Sequence, residues 1–381
     1  MLYKSLNIYD PNSRSFINAD MHIEANGDDK NCSGLYAIPG FVDVHTHGGI
    51  KYSFEKGTVD DIIDMFRFYA EYGTLYIMPT IGTIPLNDIY TAAERILAAV
   101  RKCENSGDAV ATVMGIHYEC RYLNPVKAGA HSPELLVAPS TDEADRLIDL
   151  VYGVGAELGR KLHVHFTIAP ELEGGTEFIE HVTSRGATVG IGHSDADYLA
   201  AEKAVNAGAV SFTHLFNALR PIHHRNSSAV TYALTNDVYT EFICDGLHLL
   251  PEIAKLIKTA KDENKVVLVS DSVAAGVKEG DGFVFFSGHD VHIENGIALM
   301  KNGTICGSAI VMSKAAQNYM KFTGATLDAT LKASIANPLS MLNLNGVYGN
   351  VDNKNFLIVD KDLNIVEIFA NNNRIITPEA K

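Results

Sequence analysis

His45, His47, Glu119, His193, His214, His248 and Asp271 each sit at or beside the end of a short apolar run. The clearest runs are Val113-Met-Gly-Ile-His-Tyr-Glu119, Val189-Gly-Ile-Gly-His193, Val210-Ser-Phe-Thr-His214 and Val267-Leu-Val-Ser-Asp271. Imidazoles and carboxylates bind divalent ions and serve as general bases. His45 and His47 are two apart in an extended segment, so both side chains point to one side and can share an ion. Each residue also has a plainer reading. The histidine pair could lie on the surface at the turn before Gly48-Gly49, and a carboxylate at a strand end often caps the following turn. Packing does not explain the repetition, because burying unpaired polar groups is costly. Three histidine or carboxylate ligands with one open position is the pattern of a catalytic metal ion. Such an ion activates water and polarises a carbonyl.

To bring these residues together, the runs must be strands that end on one face. From residue 41 the sequence alternates strand-like and helix-like stretches. The expected strands are 41–45, 74–80, 111–119, 163–169, 188–193, 210–214, 241–245 and 266–271. The expected helices include 58–72, 87–102, 141–159, 196–207 and 251–264. Pro251 occupies a first-turn position, and Ser140-Thr141-Asp142-Glu143 is a capping signal. Eight such strands predict an α/β fold, a (β/α)8 TIM-like metallo-hydrolase barrel whose strand C-termini open on one active face. An open doubly wound sheet is the rival, but no G-x-G-x-x-G follows the first strand. Both termini are short, strand-like and turn-rich, with Asp10-Pro11-Asn12, Asn26-Gly27-Asp28 and Asp360-Lys361-Asp362 as turns. Neither could bury a core alone. Residues 1–40 and 346–381 are therefore expected to build one small β-sandwich domain, with 41–345 as the catalytic barrel.

Composition narrows the partners. The 381 residues are 46% hydrophobic and 20% charged, ordinary for a globular enzyme. A net charge of −15 with no basic stripe argues against nucleic acid, while leaving room for an anionic small substrate held by local cations. Five cysteines without C-x-x-C spacing argue against a disulfide framework or a cysteine zinc site. The polar N-terminus lacks an apolar signal core, and no run approaches about 18 apolar residues. A cytoplasmic protein with no membrane partner is expected.

Phe41-Val-Asp-Val-His-Thr-His-Gly48 resembles the first-strand signature of the amidohydrolase superfamily. Within it, several segments resemble the N-acetylglucosamine-6-phosphate deacetylases. These are Leu123-Asn-Pro-Val-Lys-Ala-Gly-Ala-His131, Thr167-Ile-Ala-Pro-Glu171, Gly192-His-Ser-Asp-Ala196 and Thr213-His-Leu-Phe-Asn-Ala-Leu219. His224-Arg225, Asp245-Gly-Leu-His248 and Ser270-Asp-Ser-Val-Ala-Ala-Gly276 extend the likeness. The resemblance implies hydrolysis of the acetamide of N-acetylglucosamine 6-phosphate in amino-sugar catabolism. It implies Glu119, His193 and His214 as the main ligands of a divalent ion, zinc or iron. Asp271 would be the general base that takes a proton from the metal-activated water and returns it to the leaving amine. His45 and His47 would hold a second ion bridged through Glu119 with help from Asp271, giving one or two ions per subunit. His131 would polarise the acetyl carbonyl or hold a sugar hydroxyl. His248, Asn217 and the backbone near Ala218 would grip the phosphate. Arg225 would reach the neighbouring subunit's phosphate site, which implies a homodimer.

The chain departs from the family at one conspicuous place. Glu119-Cys120-Arg121 stands where Glu-Gly-Pro is usual, either a local loop variation or an arginine placed to contact an anion. Ile310 and Met312, after the Gly303–Gly307 loop, would line the acetyl pocket, and the remaining histidines 117, 163, 165, 223 and 224 are read as structural or surface residues. Alternative readings are the galactosamine epimer or another N-acyl amino sugar, and a non-catalytic barrel that binds an amino-sugar phosphate. A dihydroorotase-like or adenine-deaminase-like enzyme would need a carboxylated lysine or another bridging histidine. The fourth strand ends without a lysine.

Overall fold

The computed structural model describes residues 1–23, 28–104, 106–277, 284–351 and 354–375. Eight parallel strands form one sheet whose hydrogen-bonded order follows the chain. They are β1 (Phe41–Thr46), β2 (Thr74–Ile81), β3 (Gly115–Tyr118), β4 (His163–Ile168), β5 (Thr188–Ile191), β6 (Ser211–Phe212), β7 (Tyr239–Ile243) and β8 (Val266–Val269). A bridge between Thr46 and Ser272, with the Asp271 N–H donating to the His45 carbonyl, joins the last strand to the first. A sequential parallel sheet closed in this way is the expected (β/α)8 barrel. Both faces of its strands are covered, so nearly every strand residue is buried, yet strands such as His163-Val-His-Phe-Thr-Ile168 alternate polar and apolar side chains.

Helices cover the outside, among them α1 (Val59–Glu71), α2 (Leu86–Glu104), α3 (Thr141–Glu157), α4 (Gly175–Ser184), α5 (Tyr198–Asn206), α6 (Ala229–Thr235), α7 (Pro251–Ala260) and α8 (Met312–Thr323), and a further helical stretch at 327–341 packs on β1 and β8. In α1 a capping box between Thr58 and Asp61 fixes the start, and Ile62, Ile63, Phe66 and Tyr69 face the sheet. Ser140 caps α3 by accepting from the Glu143 N–H, and Pro251 opens α7, both as expected. α7 stops at Ala260 rather than 264, because Asp262 caps a separate 3₁₀ turn by accepting from the Asn264 N–H. Similarly, Asp197 caps α5 and moves its start past Ala196. Among the described residues no helix is long and apolar enough to cross a membrane.

Strands Leu2–Asp10, Ser15–His22 and Tyr36–Ile38 join Phe356–Val359, Ile365–Ala370 and Asn373–Ile375 in a second, mainly antiparallel sheet drawn from both termini. Tyr3, Leu6, Met21, Phe356, Ile358 and Phe369 form its separate core. The Asp10 side chain accepts from the N–H groups of Asn12 and Ser13 and makes the expected turn. Asn26 and Gly27, expected in another turn, lie outside the described residues.

A third sheet was not anticipated. Between β8 and α8 lie Val284–Phe286, His289–Glu294, Ile297–Leu299 and Ile305–Ser308, an antiparallel meander over the barrel mouth. The stretch expected as a loop at 302–309 therefore contains a strand. Ser287-Gly288 and Asn295-Gly296 both have positive φ at their two central residues, the signature of tight hairpin turns.

Candidate active site

The metal-competent residues meet at the C-terminal mouth of the barrel. Glu119 follows β3 directly, and its two carboxylate oxygens divide the cluster. Oε2 lies 3.1 Å from Nε2 of both His45 and His47. Oε1 lies 2.8 Å from His214 Nε2 and 3.4 Å from His193 Nε2. Asp271 Oδ1 is 3.5 Å from His45 Nε2 and 3.4 Å from His47 Nε2. Two overlapping donor groups result, His45–His47–Glu119–Asp271 and Glu119–His193–His214, all buried.

Local backbone geometry aims these side chains. His193, His214 and Asp271 each come two residues after their strand ends and adopt φ of 46°, 31° and 46°. That left-handed conformation is strained for residues with a Cβ, and it persists where the surroundings enforce it, often at functional sites. Here it turns each side chain from the barrel wall into the mouth. The His193 Nδ1–H donates to the Lys127 carbonyl at 2.9 Å, which leaves Nε2 bare toward Glu119.

The electrostatics favour a cation. Burial pushes the Glu119 carboxyl up, but the surrounding imidazoles, His45 first and then His193 and His214, outweigh it and hold the carboxyl well below the usual range. Asp271 follows the same logic: burial raises its carboxyl, and His45 and His47 bring it below normal. Four imidazole Nε2 atoms converge on two ionised carboxylates, with His45 and His47 only 3.1 Å apart and His193 and His214 also 3.1 Å apart. Bare nitrogen lone pairs repel at that separation unless positive charge lies between them, so the donor set fits divalent ions.

His131 has a fixed tautomer. Its Nδ1 accepts the Thr83 backbone N–H at 3.3 Å and lies 3.1 Å from Ser287 Oγ. A backbone N–H can only donate, so the ring proton sits on Nε2, 3.8 Å from Glu119 Oε2. Burial and the neighbouring His193 push this imidazole well below its ordinary value, so it is a neutral donor.

Glu119, His131, His193, His214, Asn217, Ala218, His248 and Asp271 line one cavity of about 200 Å³. His248 is held by Asp245 Oδ2 at 2.6 Å from its Nδ1. Arg225 is not among the lining residues; it lies on the exposed segment 221–227, its guanidinium against His224. Gly129 and Ala130, just before His131, also line the cavity, as do four residues not read as pocket walls from the sequence: Phe286, Ile305, Cys306 and Gly307. These four come from the meander, which its Ser-Gly and Asn-Gly turn signals could have revealed. Ile305, Cys306 and Gly307 take the lining role expected of Ile310 and Met312. Met312 is instead fully buried at the start of α8, in the barrel core, and Ile310 packs against that core.

Cys120-Arg121 also resolves. Arg121 has φ of 64° and sends its guanidinium away from the cavity to Glu143, with contacts of 3.2 and 3.3 Å. Cys120 is buried, and burial pushes its thiol up. Arg121 is engaged in an ion pair and does not line the cavity, which accords with a local loop variation. His117, His163 and His165 are buried in the barrel and hydrogen-bonded to threonines, while His223 and His224 are exposed.

With this geometry in view, the comparisons with known proteins are decisive for family. The amidohydrolase family model matches residues 36–355. The chain belongs to that family. It is 31% identical to N-acetylglucosamine-6-phosphate deacetylase of Bacillus subtilis over 89% of its own length and 82% of that protein's. It is 30% identical to N-acetylgalactosamine-6-phosphate deacetylase of Escherichia coli O157:H7, covering 82% of this chain and 80% of that one. The crystal structure of N-acetylglucosamine-6-phosphate deacetylase from Thermotoga maritima superimposes with a TM-score of 0.82 at 27% identity, spanning 99% of this chain and 100% of the other. The amidohydrolase barrel and the strand-end histidine and carboxylate cluster thus occur together in this chain.

Proposed function

We propose that the protein is a metal-dependent deacetylase that converts N-acetyl-D-glucosamine 6-phosphate to glucosamine 6-phosphate and acetate. The observation that carries the reading is the Glu119-centred double donor group opening on a cavity that also holds His131 and His248. The likeness to curated deacetylases over more than four-fifths of the chain supplies the substrate class.

Glu119, His193 and His214 would hold one ion, and His45 and His47, with Glu119 and Asp271, a second; imidazole and carboxylate donors suit zinc or iron. When bound, the metal lowers the pKa of water and polarises the amide carbonyl. Asp271, ionised at neutral pH, takes the proton of the attacking water and passes it to the departing nitrogen. His131 presents its Nε2–H to the acetyl oxygen and stabilises the negative charge that develops there. His248, oriented by Asp245, and the Asn217-Ala218 backbone grip the phosphate, whose remote binding energy positions the amide. Arg225 is exposed and outside its own cavity, which leaves it available to complete the partner subunit's phosphate site in a homodimer. Residues 1–40 with 346–381 are taken as the small domain, and 41–345 as the catalytic barrel. The five cysteines are free thiols, which supports a cytoplasmic location.

Acetate release from N-acetylglucosamine 6-phosphate by metal-replete protein, abolished by a chelator and restored by metal, is the expected result. Absence of turnover with metal bound would overturn the reading. The galacto epimer is the second reading, favoured by the 30% identity to the galactosamine enzyme, and parallel kinetics on the two epimers decide it. An arginine-to-alanine change at 225 should raise KM for the phosphorylated sugar and leave the unphosphorylated one unaffected. A monomer in sedimentation would refute the shared site.

A further inference from the structure

Glu55 takes no part in the reaction proposed above, yet it is fully buried. It lies just past the short hairpin of Gly48–Gly49 and Tyr52–Ser53 that follows β1. A carboxylate taken wholly out of water is costly unless donors meet its oxygens. Two backbone N–H groups do so here. Glu55 Oε1 accepts the Gly82 N–H at 2.9 Å, immediately past β2, and Oε2 accepts the Ser287 N–H at 2.8 Å, in the first turn of the meander. One side chain thus ties the barrel rim to the sheet that covers it. Its own backbone is held from behind, because Arg95 of α2 donates to the Glu55 carbonyl at 2.6 Å and to the Lys56 carbonyl at 3.3 Å.

Both tethers land beside the groups that fix His131. Thr83, next to Gly82, gives its N–H to His131 Nδ1, and Ser287 brings its Oγ to 3.1 Å from the same nitrogen. Ser287 Oγ also lies 2.9 Å from the Thr83 carbonyl, so the rim and the turn meet directly at the imidazole. The turn needs holding, because Ser287 has φ of 46°, a left-handed conformation that a residue with a Cβ keeps only where its surroundings enforce it. The close approach of the carboxylate depends on Gly82. A Cβ there would stand 2.7 Å from Glu55 Oε1 and 3.4 Å from Ser287 Oγ.

We propose that Glu55 is a positioning residue for His131: its carboxylate locks the Gly82-Thr83 rim to the Ser287 turn, and so keeps both groups on His131 Nδ1 in place. The catalytic part rests on the reading of His131 as donor to the acetyl oxygen; the tether does not. Glu55 touches neither substrate nor the metal donor groups. Its effect passes through the orientation of one ring, whose Nε2–H must meet the oxygen on which charge develops. A misplacement of about 1 Å in such a contact can cost about 10²-fold in rate.

The test uses the full chain loaded with zinc. Glu55→Gln keeps the side-chain volume but turns one acceptor into an amide N–H, which faces a backbone N–H and opens one tether. Gly82→Ala, whose backbone is not left-handed, crowds Oε1 from the other side. In each variant kcat for acetate release from N-acetylglucosamine 6-phosphate should fall about tenfold to a hundredfold, with KM within a few-fold and metal content unchanged. In a His131→Asn background the same changes should lower kcat by no more than about twofold, because residues that act through one group are not additive. A mere buttress of the fold would cost the same factor in both backgrounds. The imidazole ¹⁵N signals of His131 should move in both variants. Equal losses in the two backgrounds, an unchanged kcat, loss of metal or unmoved His131 signals overturn the proposal, and if Gly82→Ala does not fold, Glu55→Gln decides. A wild-type kcat in His131→Asn alone would sink the donor reading of His131, while the ¹⁵N signals of Glu55→Gln still judge the tether.

Discussion

Replacing Asp271 with asparagine separates proton transfer from metal binding. The carboxamide has nearly the volume of the carboxylate, so the cavity keeps its shape. Asp271 belongs to the His45–His47–Glu119–Asp271 group but not to Glu119–His193–His214, so the latter group stays complete. What disappears is one negative charge 3.4 and 3.5 Å from His47 and His45, and with it the oxygen able to accept a proton. A positioned general base contributes about 10²–10⁴ in rate, or about 2.7–5.5 kcal/mol of barrier. Since His248, Asn217 and Ala218 are untouched, kcat should fall by that factor while KM stays within a few-fold. The assay is steady-state acetate release alongside elemental analysis of the same samples. A kcat within tenfold of wild type at unchanged metal content would refute the role. A rate loss that merely tracks metal loss would make Asp271 a ligand and not a base.

Other outcomes follow from the same geometry. His214→Ala removes a donor 2.8 Å from Glu119 and should cost the protein one ion per chain after dialysis, read by elemental analysis. Arg121→Ala breaks a partly exposed pair with Glu143 and should lower stability by about 1 kcal/mol or less. KM should not change; a tenfold rise would reinstate Arg121 as an anion contact. Burial pushes the imidazoles of His163 and His165 down to about 3, against about 6.5 in an unfolded chain. Between these values the unfolded chain binds protons that the folded one refuses. Stability therefore falls as pH drops below about 6.5, by about 1.4 kcal/mol per pH unit for each histidine, and the loss is complete near pH 3. Thermal melts of wild type and His163→Asn across that window should show a shallower decline in the variant, and parallel curves would contradict the account.

The barrel strands and the polar residues at their ends are legible in the amino-acid sequence. A side chain that reaches the barrel mouth must stand where a strand stops, so Glu119, His193, His214 and Asp271 are legible as the terminal letters of short, mainly apolar runs. The capping of α3 by Ser140 and the opening of α7 by Pro251 were legible because caps act within one turn. Tertiary structure decided whatever depends on partners distant in the chain. Arg121 beside Glu119 reads either as part of a local loop variation or as an anion contact, and a left-handed backbone turns it to Glu143, 22 residues on. Met312 reads like a pocket residue, but the meander inserted before α8 places Ile305 and Cys306 there and sends Met312 into the core. The tautomer of His131 follows from the Thr83 N–H, 48 residues away. Sequence periodicity tells which way a side chain faces. Only the folded chain tells what it meets there.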